Sequence, residues 1–508
     1  MTRAGAPPGA VRQVRALLAL RWQMSREPGV RLGVVLAALV AGWLLQLVLR
    51  TGEALDPVTL ATALELAPAA YLGFGALAVA APLTAGGGNE VVPPDQLVAH
   101  PVRPATQFLG GLLLAPLNLV WVVQLLGLAA VTSCLTLDGS LLRGGLTTLA
   151  YVAAVTVLGQ AAAWSVVGLV RTRAGRLGVA ATGAVLLAAL VALVHGGRGD
   201  DALARSPTHA VVDGVIAGGD GHLLRWGLVT GVLLLLVVGG LPAGAAACGW
   251  ALRRAGDLPG GRSTAPVRRR AARSGPLREL LAVDRASVWR APALRRGLLV
   301  LALLPGLVTA GVAAPWSSLV VLPGLVAAGA GLLFGVNAFA LDGSGALWLA
   351  SLPHDPGLAL RAKALVLGET VLAASVVGAL TASLRAPGTP SSAQLTALLA
   401  SAVACTAVVV ALALRLSVRR PHRAELRGPR DAVAPPGALA VASVILATST
   451  AVVGAVLAAS AELGRWWLPP ALALPVLAAC GASLVRTART WGDPVQRARV
   501  VQVVSAGA

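Results

Sequence analysis

Charged side chains are scarce in this sequence. They make up 12% of its 508 residues, whereas soluble globular proteins average about 25%. The hydrophobic class reaches 56% of the chain, and the mean hydropathy is +0.79. This composition excludes an ordinary soluble domain and predicts a membrane protein.

Acidic residues are the scarcer charge type, since 21 Asp and Glu stand against 41 Lys and Arg, for a net charge of +20. A nucleic-acid-binding protein would gather such an excess into a basic patch on a soluble domain. Here the basic residues lie between apolar runs, so we expect no nucleic-acid partner. Nearly all of them are arginine, because Lys363 is the only lysine.

The motifs of common enzyme and cofactor sites are also missing. A phosphate-binding P-loop needs G-x-x-x-x-G-K-[ST], and the only lysine follows the letters LRA. The six histidines form no HExxH motif, and no GxSxG nucleophile elbow occurs. We therefore predict a chain that is not an enzyme and binds no metal or cofactor of its own.

Cysteine is rare and dispersed. No CxxC or other metal-ligand spacing occurs, so we expect the four cysteines to be small buried apolar residues. They are Cys134, Cys248, Cys405 and Cys480.

Twelve apolar runs are long enough to cross the roughly 30 Å hydrocarbon core of a bilayer. They predict an all-α polytopic membrane protein with about twelve transmembrane helices. The runs centre on residues 33–49, 59–84, 106–131, 145–170, 175–195, 223–252, 297–315, 318–341, 364–384, 393–414, 436–460 and 467–485.

The basic residues also predict the orientation of these spans. If the N-terminus is cytoplasmic, most of the 41 basic residues fall in segments on the cytoplasmic side, as the positive-inside rule requires. Residues 1–31 lack the compact apolar stretch and cleavage site of a signal peptide. We expect a multi-pass protein of the cell membrane with both termini in the cytoplasm.

The spans divide into two halves of six, residues 1–252 and 278–508, joined by a basic cytoplasmic linker at 253–277. The segment RALLALRWQMSREP precedes the first span and RELLAVDRASVWRAP the seventh, with Arg15 aligned on Arg278. Apolar residues at helical spacing opposite arginines predict an interfacial elbow helix in each, at about 11–28 and 278–293. The alternative is that each segment merely extends the following span.

A second match lies between the second and third spans of each half. LVAHPVRPATQFLGGLLL aligns without gaps on LASLPHDPGLALRAKALV, with Pro101 on Pro353 and Pro104 on Pro356. Proline cannot continue a helix but suits its first turn, so these prolines separate a cytoplasmic segment from the third span. Two matches in corresponding places predict a parallel repeat of six spans.

Residues 334–369 read FGVNAFALDGSGALWLASLPHDPGLALRAKALVLGE. This segment resembles the permease of ABC-2-type exporters whose two permease halves are fused, which show a similar N-x-F-x-x-D-G run, a tryptophan, a proline-bearing loop and a basic entry to the third span. The first half keeps the proline loop but lacks the N-x-F-x-x-D-G pattern. The matching residues here are Asn337, Phe339, Asp342, Gly343, Trp348, Pro353, Arg361 and Lys363.

The resemblance implies a translocation path between the two halves and a separate ATP-binding subunit, in two copies, that holds the ATP and magnesium. It implies that the elbow helices and the loops at about 90–105 and 342–362 contact that subunit, and that residues 206–219 fold as a small extracellular helical piece. The implied coupling residues are Pro101, Arg103, Pro104, Asp342, Trp348, Pro353, His354, Asp355 and Pro356. The implied elbow-helix residues are Arg15, Arg21, Arg278 and Arg285.

Few polar residues lie inside the apolar runs. Glu65 and Glu369 are the only ionisable ones, and such residues are functional candidates by default. For both, a carboxylate satisfied by a polar neighbour or at the interface is the alternative. Asn118, Gln124 and Asn337 could line a path, but hydrogen bonds between helices explain them equally well.

Two other functions fit a chain of this kind less well. A proton-coupled secondary transporter of the drug-efflux type would carry G-x-x-x-D-[RK]-x-G-[RK] between its second and third spans, where this chain has GGGNEVVPPDQ. A membrane enzyme acting on a lipid-linked substrate would need acidic or histidine clusters, and the only acidic pair is Asp200–Asp201 in an outer loop. The apolar spans favour a hydrophobic drug, lipid or peptide as cargo.

Overall fold

The structure is a computed structural model of the full chain. It describes residues 57–84, 102–114, 119–137, 139–195, 204–254, 275–311, 313–353, 355–424 and 434–506, together with positions 9, 12, 13, 15, 16, 42 and 46. Every regular element in these ranges is a helix.

The chain divides into two compact units. The first comprises residues 1–83, 89–189 and 198–263, and the second comprises residues 84–88, 190–197 and 264–508. The helices of the first unit in the described ranges are α1 (Pro57–Thr84), α2 (Pro104–Leu114), α3 (Leu119–Leu135), α4 (Leu141–Val170), α5 (Arg173–His195), α6 (Pro207–Asp220) and α7 (Leu223–Arg253).

The second unit begins with the amphipathic helix α8. Its described helices are α8 (Pro276–Arg290), α9 (Pro292–Gly311), α10 (Trp316–Leu319), α11 (Leu322–Leu333), a 3-10 helix (Gly335–Asp342), α12 (Gly345–Ser351), α13 (Pro356–Ser383), α14 (Ser392–Arg419), α15 (Pro436–Glu462), α16 (Leu468–Gly492) and α17 (Pro494–Ser505).

Membrane-spanning character is confirmed by length and composition. Eight segments of the described chain are long and apolar enough to cross a bilayer. Many of their large apolar side chains are exposed, which suits contact with lipid rather than water. The eight segments are Leu141–Val170, Leu223–Arg253, Leu294–Gly311, Trp316–Asp342, Pro356–Ser383, Ser392–Arg419, Val441–Glu462 and Leu468–Gly492.

The first unit is built around the pair α4 and α7, which pack along each other, with α6 against both. Helix α1 approaches α4 closely at Gly159, where a Cβ atom would lie 2.6 Å from the carbonyl oxygen of Ala78. This approach needs glycine, as is common where helices pack in lipid.

In the second unit, α14 is the central helix and packs against α11, α15 and α16. It begins with a capping box at Ser391 and Gln394 and is buried along most of its length. At Gly331 of α11, a Cβ atom would lie 2.5 Å from Cγ1 of Val409 on α14. The sequence Gly331-x-x-x-Gly335 therefore allows a close approach of helices, as small residues at this spacing do in lipid.

The run at 106–131 includes α2 and α3, with residues 115–118 outside the described residues. The predicted span at 318–341 is interrupted. It is divided into α10, α11 and the 3-10 helix. A turn at Val320 and Val321 separates α10 from α11, and Phe334, with φ −151° and ψ −21°, separates α11 from the 3-10 helix. Within the 3-10 helix, Asn337 has non-helical angles of φ −139° and ψ 56°. Apolar length alone does not report such breaks.

Other expectations are met. The helical piece predicted at 206–219 is α6, capped by the side chain of Ser206. All four cysteines are buried and free, as expected. The segment before the seventh span is a separate helix, α8, since Ala291 is extended ahead of Pro292 and does not continue the helix.

Candidate functional site

The beginning of α13 is the point at which α8 and the 3-10 helix contact the third predicted span of the second unit. Asp355 caps α13, because its Oδ1 accepts a hydrogen bond of 2.8 Å from the backbone N–H of Gly357. Pro356 occupies the first turn, where its missing N–H costs nothing. Asp355 and Pro356 together thus determine where α13 begins.

Two turns into α13, Lys363 lies buried between two carboxylates. Its Nζ donates to Oδ1 of Asp284 on α8 at 2.6 Å and to Oδ1 of Asp342 at the end of the 3-10 helix at 2.5 Å. The side chains of Lys363, Asp284 and Asp342 are only 5%, 10% and 12% exposed. One lysine therefore ties three elements together. We call these three residues the Lys363 cluster.

The Lys363 cluster holds two carboxylates and one ammonium, so its formal charge is −1 when all three groups are ionised. Burial raises the pKa of Asp284, with Asp342 adding to the effect and Lys363 opposing it. Removing one of these charged groups should destabilise the fold, because a buried charge without its partner costs several kcal/mol of stability.

A second ion pair joins the same two helices at a more exposed level. Nε and Nη2 of Arg285 donate to Oε1 and Oε2 of Glu369, both at 2.5 Å, so the pair is bidentate. The hydrogen bond and the charge of Glu369 raise the pKa of the Arg285 guanidinium. Arg285 follows Asp284 on α8, so neighbouring residues of α8 contact α13 at two points.

The 3-10 helix is held by contacts that position Asp342. Nδ2 of the fully buried Asn337 donates to the carbonyl oxygen of His422 at 2.7 Å. The ring of Phe339 stacks on that of Trp491, with centroids 4.3 Å apart and planes 15° from parallel. Trp491 in turn donates from Nε1 to the carbonyl oxygen of Pro356 at 2.8 Å. The end of α16 thus braces both the 3-10 helix and the start of α13.

Helix α12 presents apolar side chains outward between the 3-10 helix and α13. Trp348 is 73% exposed, and Leu347 and Leu352 beside it are also exposed. The opposite side of α12 packs against α17 and the 3-10 helix, with Ala346 buried. Trp348 is the most exposed of the described tryptophans, and an aromatic side chain can bury a large apolar area when a partner is present. We call Leu347, Trp348 and Leu352 the α12 patch.

The first unit has a simpler version of this arrangement. Pro104 begins α2, and Oε1 of Gln13 accepts hydrogen bonds from the backbone N–H of Arg103 at 3.3 Å and from the hydroxyl of Thr106 at 2.7 Å. The residues before the first span therefore contact the entry to α2. Arg103 and Arg15 are exposed.

The predicted site residues fall into three groups. Asp342, Asp355, Pro356 and Arg285 lie at the entry to α13, and Trp348 and Pro353 lie exposed beside it. Arg278 is exposed on the first turns of α8. Those outside the described residues, or without a described side chain, are Arg21, Pro101, Asn118, Gln124 and His354.

Three of the polar residues suggested for a path have described side chains. In the second unit, Asn337 donates to the carbonyl oxygen of His422, and Glu369 accepts from Arg285. Glu65 is an exposed residue of α1 in the first unit.

Sequence reasoning overlooked Asp284, although a signal was present. The apolar stripe of α8 runs through Leu281 and Val288, and Asp284 occupies the same face between them. A carboxylate on an apolar stripe requires a buried cation. Lys363 is the only lysine of the chain and lies near the start of a predicted span, so it was the candidate for that cation.

No group of histidine, cysteine and acidic residues in the described ranges could hold a metal ion. No protein-family profile matches the chain, and neither a curated protein nor a solved structure is significantly similar to it.

Proposed function

We propose that the chain is the membrane-spanning permease subunit of an ABC-type exporter, coupled to a separate ATP-binding subunit. In this proposal its two halves of six spans line the path, both termini lie in the cytoplasm of a cell-membrane protein, and two copies of the partner hold ATP and magnesium. The observation that carries the proposal is the connection from the exposed α12 patch through Asp342 to the buried Lys363.

That connection suits a device that passes movement from a docked subunit to the spans. The α12 patch offers an apolar anchor of the kind that dominates protein interfaces. Asp342 lies two residues before Ser344, which precedes α12, and its bond to Lys363 joins this segment to α13. Asp284 extends the connection to α8. A push on α12 would therefore reach the third span and the elbow helix together.

The internal packing of the two units supports the proposed repeat. In the first unit, the fourth predicted span, α4, packs against the sixth, α7, and its Tyr151 contacts Tyr71 of the second span, α1. In the second unit, the fourth span, α14, packs against the sixth, α16, and against the second-span helix α11. Equivalent pairs in both units are what a parallel duplication predicts.

The absence of a P-loop from the sequence fits a division of labour between subunits. A permease needs no phosphate site if its partner hydrolyses the ATP. Hydrophobic drugs, lipids or peptides are the cargo that the apolar spans favour.

Photocrosslinking tests the proposed docking. With p-benzoylphenylalanine in place of Trp348, irradiation of cells should attach the chain to a protein that contains a P-loop. The matched control is the same replacement at Trp466, which is 60% exposed and precedes α16 at the opposite, predicted extracellular end. That position should give no such product.

The same cells distinguish the main alternative. Removing the P-loop lysine of the crosslinked partner should abolish export of apolar dyes by the chain. If export instead survives that change and stops when a protonophore collapses the proton gradient, the chain is a secondary transporter and the proposal is wrong.

A further inference from the structure

A shallow pocket, partly open to solvent, lies between the C-terminal parts of α14 and α16. It is separate from the Lys363 cluster and from the α12 patch. Its polar lining residues are Arg415 and Arg419 from α14 and Ser483, Arg486, Thr487 and Thr490 from α16.

The pocket is strongly basic. Three guanidinium groups line it, and none of them forms an ion pair with a carboxylate in the described part of the chain. Arg486 donates only its Nε, to the carbonyl oxygen of Ala482 at 3.2 Å, so its terminal nitrogens face no described acceptor. The two helix C-termini nearby each contribute about −0.5 charge. A charge of roughly +2 remains to attract an anion.

Hydroxyl groups complete the lining on the α16 side. Ser483, Thr487 and Thr490 recur at helical spacing and so share one face of α16. Thr487 and Thr490 now donate to the carbonyl oxygens of Ser483 and Arg486, at 3.0 and 3.1 Å. Because a hydroxyl rotates freely, each can donate to a ligand oxygen instead. Guanidinium and hydroxyl donors together are the groups that bind phosphate.

The depth of the pocket matches the boundary of a bilayer. At 1.5 Å per residue, the apolar part of α14 before Arg415 is about 33 Å long and that of α16 before Arg486 is about 27 Å. Both lengths are close to the roughly 30 Å of a hydrocarbon core. The exposed Trp466 and Trp467 stand at the other end of α16, where aromatic belts occur. The arginines therefore begin where hydrocarbon ends.

We propose that this pocket binds the phosphate headgroup of an anionic phospholipid. A zwitterionic lipid carries the same phosphate, but its cationic head would face three arginines. Under the predicted topology the site lies in the cytoplasmic leaflet.

Lipid binding to the purified full chain tests the proposal. Delipidated protein in a neutral detergent is titrated with phosphatidylglycerol or phosphatidylcholine, and bound lipid is counted by native mass spectrometry. We expect phosphatidylglycerol to bind at least tenfold more tightly than phosphatidylcholine. The variant Arg415→Gln/Arg486→Gln should lose at least tenfold in affinity for phosphatidylglycerol.

A charge-matched control separates a site from a basic surface. Arg420→Gln/Arg489→Gln removes two exposed arginines from the same helix ends without touching the pocket lining. That variant should bind phosphatidylglycerol as the wild type does, and equal losses in the two variants would overturn the site.

Thermal unfolding provides a second readout: phosphatidylglycerol should raise the midpoint temperature of unfolding of the wild type. If 10-fold higher inorganic phosphate raises it equally, the ligand is a soluble phosphate and the lipid proposal is wrong.

Discussion

The two units of this protein satisfy their buried polar groups in different ways. The first unit uses neutral hydroxyls shared between helices, and the second uses a lysine between two carboxylates. Neutral groups are cheap to hold in an apolar interior, whereas charges are costly unless each has its partner. The second unit therefore contains the arrangement that loses more stability when one member is removed.

The hydroxyl network of the first unit joins α1, α3 and α4. The hydroxyl of Tyr71 lies 2.6 Å from Oγ1 of Thr148 and 3.1 Å from Oγ1 of Thr132, and the two threonines are 2.8 Å apart. Tyr151 donates to the carbonyl oxygen of Tyr71 at 2.6 Å. The only two tyrosines of the chain are therefore in contact. Such networks hold helices together where water is absent.

The predicted alignment makes the contrast sharper. At the offset that places Pro104 on Pro356, the position of Lys363 corresponds to Gly111 and that of Glu369 to Leu117. The first half therefore lacks both residues that pair with Asp284 and Arg285 in the second half. If the halves arose by duplication, only the second keeps this ionic link, and under the proposed function an ATP-binding subunit would meet two unequal docking sites.

Replacing Lys363 is expected to have the largest effect. Lys363→Met leaves Asp284 and Asp342 buried without their cation, so the free energy of unfolding should fall by about 3–5 kcal/mol. Unfolding of the purified protein in mixed micelles measures the loss. The triple variant with Asp284→Asn and Asp342→Asn also present should recover most of it. A triple variant as unstable as Lys363→Met would show that packing, not charge, is responsible.

The pH dependence of stability should differ between the wild type and Asp284→Asn, which also tests the role of charge in the Lys363 cluster. Because burial raises the pKa of Asp284, the folded state binds its proton more tightly than the unfolded state does. Wild-type stability should therefore fall as pH rises from about 4 through the raised pKa of Asp284. Asp284→Asn should lack this decline, and an unchanged pH profile would contradict the assignment.

The hydroxyl network should give a smaller effect. Tyr71→Phe removes the shared hydroxyl while keeping the ring, and the free energy of unfolding should fall by about 1 kcal/mol. In a double-mutant cycle with Thr148→Val, the two losses should be less than additive, because each single change already removes the hydrogen bond between Tyr71 and Thr148. Strict additivity would mean that the two hydroxyls do not interact.

The positions of many helices could be predicted from composition and hydropathy, because long apolar runs can be read directly from the sequence. The breaks could not: Asn337 departs from helical angles within a run that reads as continuous, since tertiary contacts with His422 hold it there. At the candidate site, D-P at 355–356 predicted where α13 begins. The pairing of Asp284 with Lys363 spans 79 positions and depends on how α8 folds back, which local patterns do not encode.

The exposed pair of Arg285 and Glu369 should have the smallest effect of all. Its side chains are 52% and 37% exposed, so water and salt screen the attraction despite the bidentate geometry. Arg285→Gln should cost less stability than either Lys363→Met or Tyr71→Phe, and the loss should shrink as salt is raised from 0.05 to 1 M. The loss in Lys363→Met should change little over that range, because the Lys363 cluster excludes the solvent that carries the ions. Equal salt dependence in the two variants would mean that solvent reaches both sites. The Lys363 cluster would then not differ from the exposed Arg285–Glu369 pair in its screening by salt.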